Sequence, residues 1–150
     1  MVDLVQPDGT LRRVSIAHVD PRKQRLAEKL TRDYPPDPAR SVLHRVVREG
    51  VSVLVTDIPD SHLVEQAMNG EHLRLMRALE PRSYLIAPMR SRERVLGTIG
   101  LLTAESGKQF DETDLALAEG LARRAGVAIG NARLYRQAQD AIRVRDGVLA

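Results

Sequence analysis

Arg82-Ser83-Tyr84-Leu85-Ile86-Ala87-Pro88-Met89 and Arg94-Val95-Leu96-Gly97-Thr98-Ile99-Gly100-Leu101-Leu102 are two apolar runs separated by the polar segment Arg90 to Arg94. Apolar runs of this length joined by a short polar stretch predict an antiparallel hairpin. Ser83 to Met89 is the first expected strand and Val95 to Ala104 the second. Gly97 and Gly100 fall inside the second strand, where a bulge or the close packing of a helix on the sheet accounts for them better than a ligand contact.

Working outward toward the C-terminus, Asp111 caps a helix that is expected to run to about Arg145, with Glu112 and Asp114 favourable at its positive end. Leu121, Ala125, Ala128, Ala132, Tyr135, Gln139, Ile142, Asp146 and Leu149 recur at alternating spacings of 4 and 3, a heptad seam interrupted at Gln139 and Asp146. Leu115, Leu117, Ala118, Ala122 and Ile129 suggest that the first half also packs on the sheet, while the second half, from Arg133 to Ala150, projects as a connector.

Toward the N-terminus, Val51 to Ile58 reads as a strong central strand. Pro59-Asp60-Ser61 opens a helical region reaching about Leu79, with a break at Asn69-Gly70 and Asp60 as a capping residue. Ser41 caps a short helix with Val42, Leu43, Val46 and Val47 inward and Gly50 as its stop. Asp20-Pro21 starts another, which ends before Tyr34-Pro35-Pro36-Asp37-Pro38. Residues 2–6 and 11–19, joined by the turn Pro7-Asp8-Gly9, form the first hairpin. This order gives an α+β fold: a mostly antiparallel sheet with helices on its faces and a long C-terminal helix.

The totals bound the function. The chain has 150 residues, 43% hydrophobic and 29% charged, enough for one aliphatic core. With one Phe, three Tyr and no Trp it lacks the exposed rings of a base-stacking surface. Its 23 basic residues are nearly balanced by 20 acidic ones and are spread along helices, so no nucleic-acid surface is expected. Without cysteine there is no disulfide, thiolate metal site or thiol nucleophile. No apolar run approaches a membrane span, and a cytoplasmic domain is expected.

The chemistry-bearing residues do not converge. His18 ends a strand, His44 sits in the short helix, and His62 lies in the first turn of the next. In Glu71-His72-Leu73-Arg74 the acid precedes the histidine, and His72 reads as a helix-surface residue. None has a second histidine at i+3 or i+4, so no metal site is expected. No phosphate loop or nucleophile elbow appears, and no catalytic residue is assigned.

In order and spacing, several segments resemble a GAF domain over about residues 2 to 138: Val2-Asp3-Leu4-Val5, Pro7-Asp8-Gly9-Thr10-Leu11 and Ile16-Ala17-His18 as its first hairpin; Arg82 to Met89 as its S-x-L-x-x-P-L strand; and Arg94 to Leu102 as the strand after it. Phe110-Asp111-Glu112-Thr113-Asp114-Leu115, then Leu121-Ala122 and Ala125 to Ile129, ending at Asn131-Ala132-Arg133-Leu134-Tyr135, resemble the family's closing helix. The resemblance implies a GAF/PAS-like sensory module of a bacterial signalling protein, spanning 1–138, with 139–150 beginning a connector toward a downstream histidine-kinase or phosphatase domain. The family's usual first helix is missing before Val2, so either a truncated chain or an incomplete gene product is implied.

Without cysteine a covalent bilin is excluded, as is methionine-sulfoxide reduction; Lys108, Phe110, Asp111 and Glu112 retain only a fragment of a cyclic-nucleotide signature. The implied ligand is an unknown small molecule between the sheet and its covering helices, with Tyr34, Asp57, Met68, Met76 and Tyr84 as candidate lining residues. The implied partner is a second copy, paired through Leu121, Ala125, Ala128, Ala132, Tyr135, Ile142 and Leu149. The alternative is a ligand-free dimerisation and spacer element.

Overall fold

The computed structural model describes residues 1–104 and 107–149, without the Leu149 side chain. Five strands, β1 (Val2–Val5), β2 (Leu11–Ser15), β3 (Val53–Val55), β4 (Pro81–Ser91) and β5 (Arg94–Ala104), form one antiparallel sheet in the order β2-β1-β5-β4-β3. Helices α1 (Pro21–Asp33), α2 (Val42–Glu49), α3 (Asp60–Gln66) and α4 (Gly70–Ala78) form one group, and α5 (Glu112–Leu149) packs on β4 and β5.

Alternation along β4 divides the core between the two faces. Tyr84 and Ile86 pack with Leu43 and Val46 of α2. Leu85 packs with Phe110 and Ala118, and Ala87 and Met89 pack with Ile99 and Ala122. The wholly buried Ser83 explains why a small polar residue opens this strand. Its hydroxyl donates to the Val55 carbonyl (2.9 Å) and accepts from the Phe110 amide (3.0 Å), joining β3 to the entry of α5.

The expected helix starts are present. Asp20 accepts from the Arg22 amide with Pro21 in the first turn, Ser41 accepts from the Leu43 amide, and Gly50 ends α2 in the left-handed region. At α5 the cap is reciprocal. The Asp111 carboxylate accepts from the Asp114 amide (2.9 Å) and the Asp114 carboxylate from the Asp111 amide (3.0 Å).

Several expectations are corrected. The strand at 51–58 shortens to Val53–Val55 and stands at the sheet edge, with Val51 exposed. The break expected at Asn69-Gly70 is present and divides 59–79 into two helices, with Asn69 capping α4 by accepting from the His72 amide. Asp60 caps nothing; it lies in the first turn of α3 and pairs with Arg77 of α4 at 2.6 Å. β2 stops at Ser15, short of His18, because Gln24 of α1 takes the Ile16 carbonyl and the His18 amide.

The close approaches at Gly97 and Gly100 come from Asp3 and Met1, not from a helix. The glycines that seat a helix are Gly126 and Gly130, against Arg90 and Ser91 in the β4–β5 hairpin. Leu117 is 71% exposed and does not pack on the sheet.

Candidate functional site

The chain between α1 and α2, Tyr34 to Arg40, crosses over the sheet where proline restricts the backbone. Together with α3, α4 and the near face of β4, it walls a cavity of about 260 Å³ that is open to solvent on one side. Most of the lining is apolar, with Leu30, Val42, Leu43, Ile58, Leu63, Leu79, Ile86 and Leu102 joined by methionines and prolines. Of the residues expected from the sequence, Tyr34, Met68, Met76 and Tyr84 line it. Asp57 does not: it is exposed, in the loop that follows the short β3.

Two histidines missed as lining residues supply much of the polarity. His62 Nε2 lies 3.0 Å from the Tyr84 hydroxyl, joining α3 to β4 across the cavity wall. His72 is buried rather than on the helix surface, and its ring stacks on Tyr34 with centroids 4.4 Å apart. Burial holds its pKa below the ordinary histidine value, and Nδ1 accepts from the Met68 amide at 3.0 Å. The neutral ring therefore carries its proton on Nε2. A sequence signal existed: His72 follows a capping Asn by three residues on a helix with Leu75 and Met76 inward.

The cationic group reaching under this cavity is already paired. Arg13 holds the buried Asp3 carboxylate at 3.0 Å and donates to Thr31 at 3.2 Å. Burial also pushes the Tyr84 hydroxyl pKa up, so it is a neutral donor and acceptor. Arg40 lies at the exposed rim and donates to the Ala67 carbonyl. Asp37 of the crossing segment also lines the cavity, half-buried, and its carboxylate accepts from the Ala39 amide at 2.9 Å. The interior is thus mainly apolar, with its charged groups already hydrogen-bonded to protein, a setting that disfavours a ligand with net charge. His44 of α2 does not line the cavity. Both its ring nitrogens are buried without a partner among the described residues, and burial lowers its pKa.

Along α5 the seam divides. Ala125 turns inward beside Ile129, against the cluster of Ala87, Met89, Ile99 and Ala122. Leu121, Ala128, Ala132, Tyr135 and Ile142 are exposed, and Leu117 extends the stripe by one turn. The Leu149 side chain lies outside the described residues. Val127, Leu134, Ala141 and Val148, seven apart and exposed, form a second row that sequence spacing had not singled out.

Among the described residues no group of three or more His, Asp or Glu could hold a metal ion, and no helix is long and apolar enough to cross a membrane.

The GAF domain family model matches residues 3–129. Among solved structures, GAF3 from Slr1393 of Synechocystis is similar with a TM-score of 0.63 at 23% identity, covering 92% of this chain and 85% of that one. A GAF domain/HD domain protein from Geobacter sulfurreducens gives 0.66 at 17% identity, covering 89% and 80%. A domain of a putative two-component sensor histidine kinase protein from Sinorhizobium meliloti gives 0.56 at 16% identity, covering 92% and 81%. These likenesses carry the fold. With the family match spanning most of the chain, they establish that it belongs to the GAF domain family.

Proposed function

We propose that this GAF domain is a signal-input module of a bacterial signalling protein, binding a small uncharged molecule in the cavity beneath Tyr34 to Arg40 and signalling through α5. A volume of 260 Å³ equals about nine waters at ~30 Å³ each, and falls below the ~300 Å³ at which drug-sized sites begin. It suits a compact metabolite that is mainly apolar and offers one hydrogen-bonding group to the His62–Tyr84 pair.

The observation that carries the reading is the alternation along β4. Tyr84 and Ile86 line the cavity, while their neighbours Leu85 and Ala87 pack against α5. A ligand favouring one arrangement of α1 to α4 biases the sheet that seats the outgoing helix, by as much as its affinities for the two arrangements differ. The exposed stripe from Leu117 to Ile142 supports pairing with a second copy, and the segment 139–150 then connects to a kinase or phosphatase output domain in the parent chain.

A thermal-shift screen of uncharged metabolites against wild type and Leu102→Trp, which fills the cavity from its half-exposed rim, tests this. A compound at a hundred times its Kd adds about 2.7 kcal/mol, or about 5–10 °C for a chain of this size. The reading expects such shifts in wild type and not in the variant. Equal shifts in both would contradict it.

A further inference from the structure

We propose that a second groove, between the β1–β2 turn, the β4–β5 turn and α5, is a binding site for a small polyvalent oxyanion bearing phosphate or carboxylate groups. The groove has a volume of about 550 Å³ and is separate from the cavity described above. Arg92 and Arg94 reach it from the β4–β5 turn and Arg133 from α5, and no carboxylate is among the lining residues. Among the described residues the Arg92 and Arg94 guanidinium groups have no hydrogen-bonding or ion-pair partner, and that of Arg133 makes only a long contact of 3.4 Å to the Val5 carbonyl. Gln6, Ser91 and Gln137 add uncharged donors to the same walls.

Guanidinium groups are suited to this task because each presents a planar fork of N–H donors matching the oxygens of carboxylate or phosphate. Arg92 holds its position at φ 57°, a left-handed conformation in which glycine or asparagine would be less strained. The turn thus keeps an arginine beside the groove against local backbone preference.

The position gives occupancy a mechanical consequence. Gly130 seats α5 on Ser91, and Arg133 and Gln137 belong to the next turns of the helix, where it leaves the sheet. An anion bridging Arg94 to Arg133 would tie the outgoing helix to the β4–β5 hairpin, so it acts on α5 independently of the cavity on the opposite side of the sheet.

The test is calorimetric titration of the 150-residue chain with pyrophosphate and, separately, with citrate at low ionic strength. Wild type and a charge-matched control, Arg22→Gln/Arg25→Gln/Arg32→Gln on α1, should bind saturably and alike. Arg92→Gln/Arg94→Gln/Arg133→Gln should lose affinity by about tenfold or more, the loss expected from a charge-assisted hydrogen bond. Gln137→Glu, which removes no arginine and places a carboxylate in the groove, should lose affinity as well. Binding of pyrophosphate alone assigns the site to phosphates, citrate alone to carboxylates, and both to polyvalent oxyanions in general. Absence of saturable binding of either probe to wild type, or equal binding by the groove variants and the control, would overturn the proposal.

Discussion

Replacing Gly126 by alanine tests how α5 is seated. In an exposed helix the change would stabilise by ~0.8–1.0 kcal/mol through helix propensity. Here the added methyl would stand 2.7 Å from the Arg90 carbonyl carbon, and closer still to its oxygen, where ordinary contact begins near 3.4 Å. The obstacle is backbone in the β4–β5 hairpin and cannot rotate away. The helix must retreat by more than ~0.7 Å, a gap that forfeits a quarter to a half of each dispersion contact along the seam. Ala118, Ala122 and Ile129 would lose packing against Leu85, Ala87, Met89 and Ile99. Overpacking of this kind costs ~1–3 kcal/mol, so after the propensity gain the net loss is about 0–2 kcal/mol.

Gly120 is the internal control, since its added methyl meets only the end of the Arg123 side chain, at 3.7 Å. Gly120→Ala should gain up to ~1 kcal/mol. Urea denaturation of both variants should therefore place them about 1–3 kcal/mol apart, with Gly126→Ala the weaker. Equal stability, or Gly126→Ala the more stable, would refute the seating of α5 described above.

Other perturbations follow from the same packing. His44→Leu removes two buried, unpartnered nitrogens and should stabilise by about 1 kcal/mol, measured by urea denaturation at pH 7. His44 and His72 both have folded pKa values lowered by burial. As pH falls through the unfolded histidine value of about 6.5 the unfolded chain takes up protons first, so stability declines there and levels off below the folded values. His44→Leu should flatten that decline in a pH series of melting temperatures, and an unchanged slope would count against burial as the cause. Asp3→Ala strands Arg13 beside the sheet and should cost about 3–5 kcal/mol, whereas Asp60→Ala, breaking the exposed pair with Arg77, should cost far less. Similar losses from the two would contradict the difference in burial.

Much of the fold was legible because its signals are local. Asp20-Pro21, Ser41, Gly50 and Asp111 mark helix ends by their own side-chain chemistry, and the β4–β5 hairpin declares itself by apolar runs on both sides of a polar turn. What escaped depends on contacts distant in sequence. Val51 to Ile58 has the composition of a full strand, but only Val53 to Val55 finds pairing, all of it with Tyr84 to Ile86. Asp60 resembles a cap until Arg77, on the following helix, claims it.

The cavity was half legible. Tyr34, Met68, Met76 and Tyr84 were recognisable as large side chains on the covering segments and the facing strand. Asp57 was misjudged because a longer strand would have carried it over the sheet. His62 and His72 were read through the histidine spacings that metals require. Their actual neighbours, Tyr84 and Tyr34, are aromatic rings 22 and 38 positions away. The helix seam was legible in period, while the inward turn of Ala125 depends on where the sheet lies.

Native mass spectrometry of freshly purified wild type and Leu102→Trp, with each sample also measured after denaturation, tests the cavity's occupancy most directly. The account predicts that wild type carries a defined non-covalent mass of metabolite size, one per chain, that denaturation releases it, and that the filled variant lacks it. A bare chain in both proteins, or the same adduct on both, would contradict the assignment of this cavity as the ligand site.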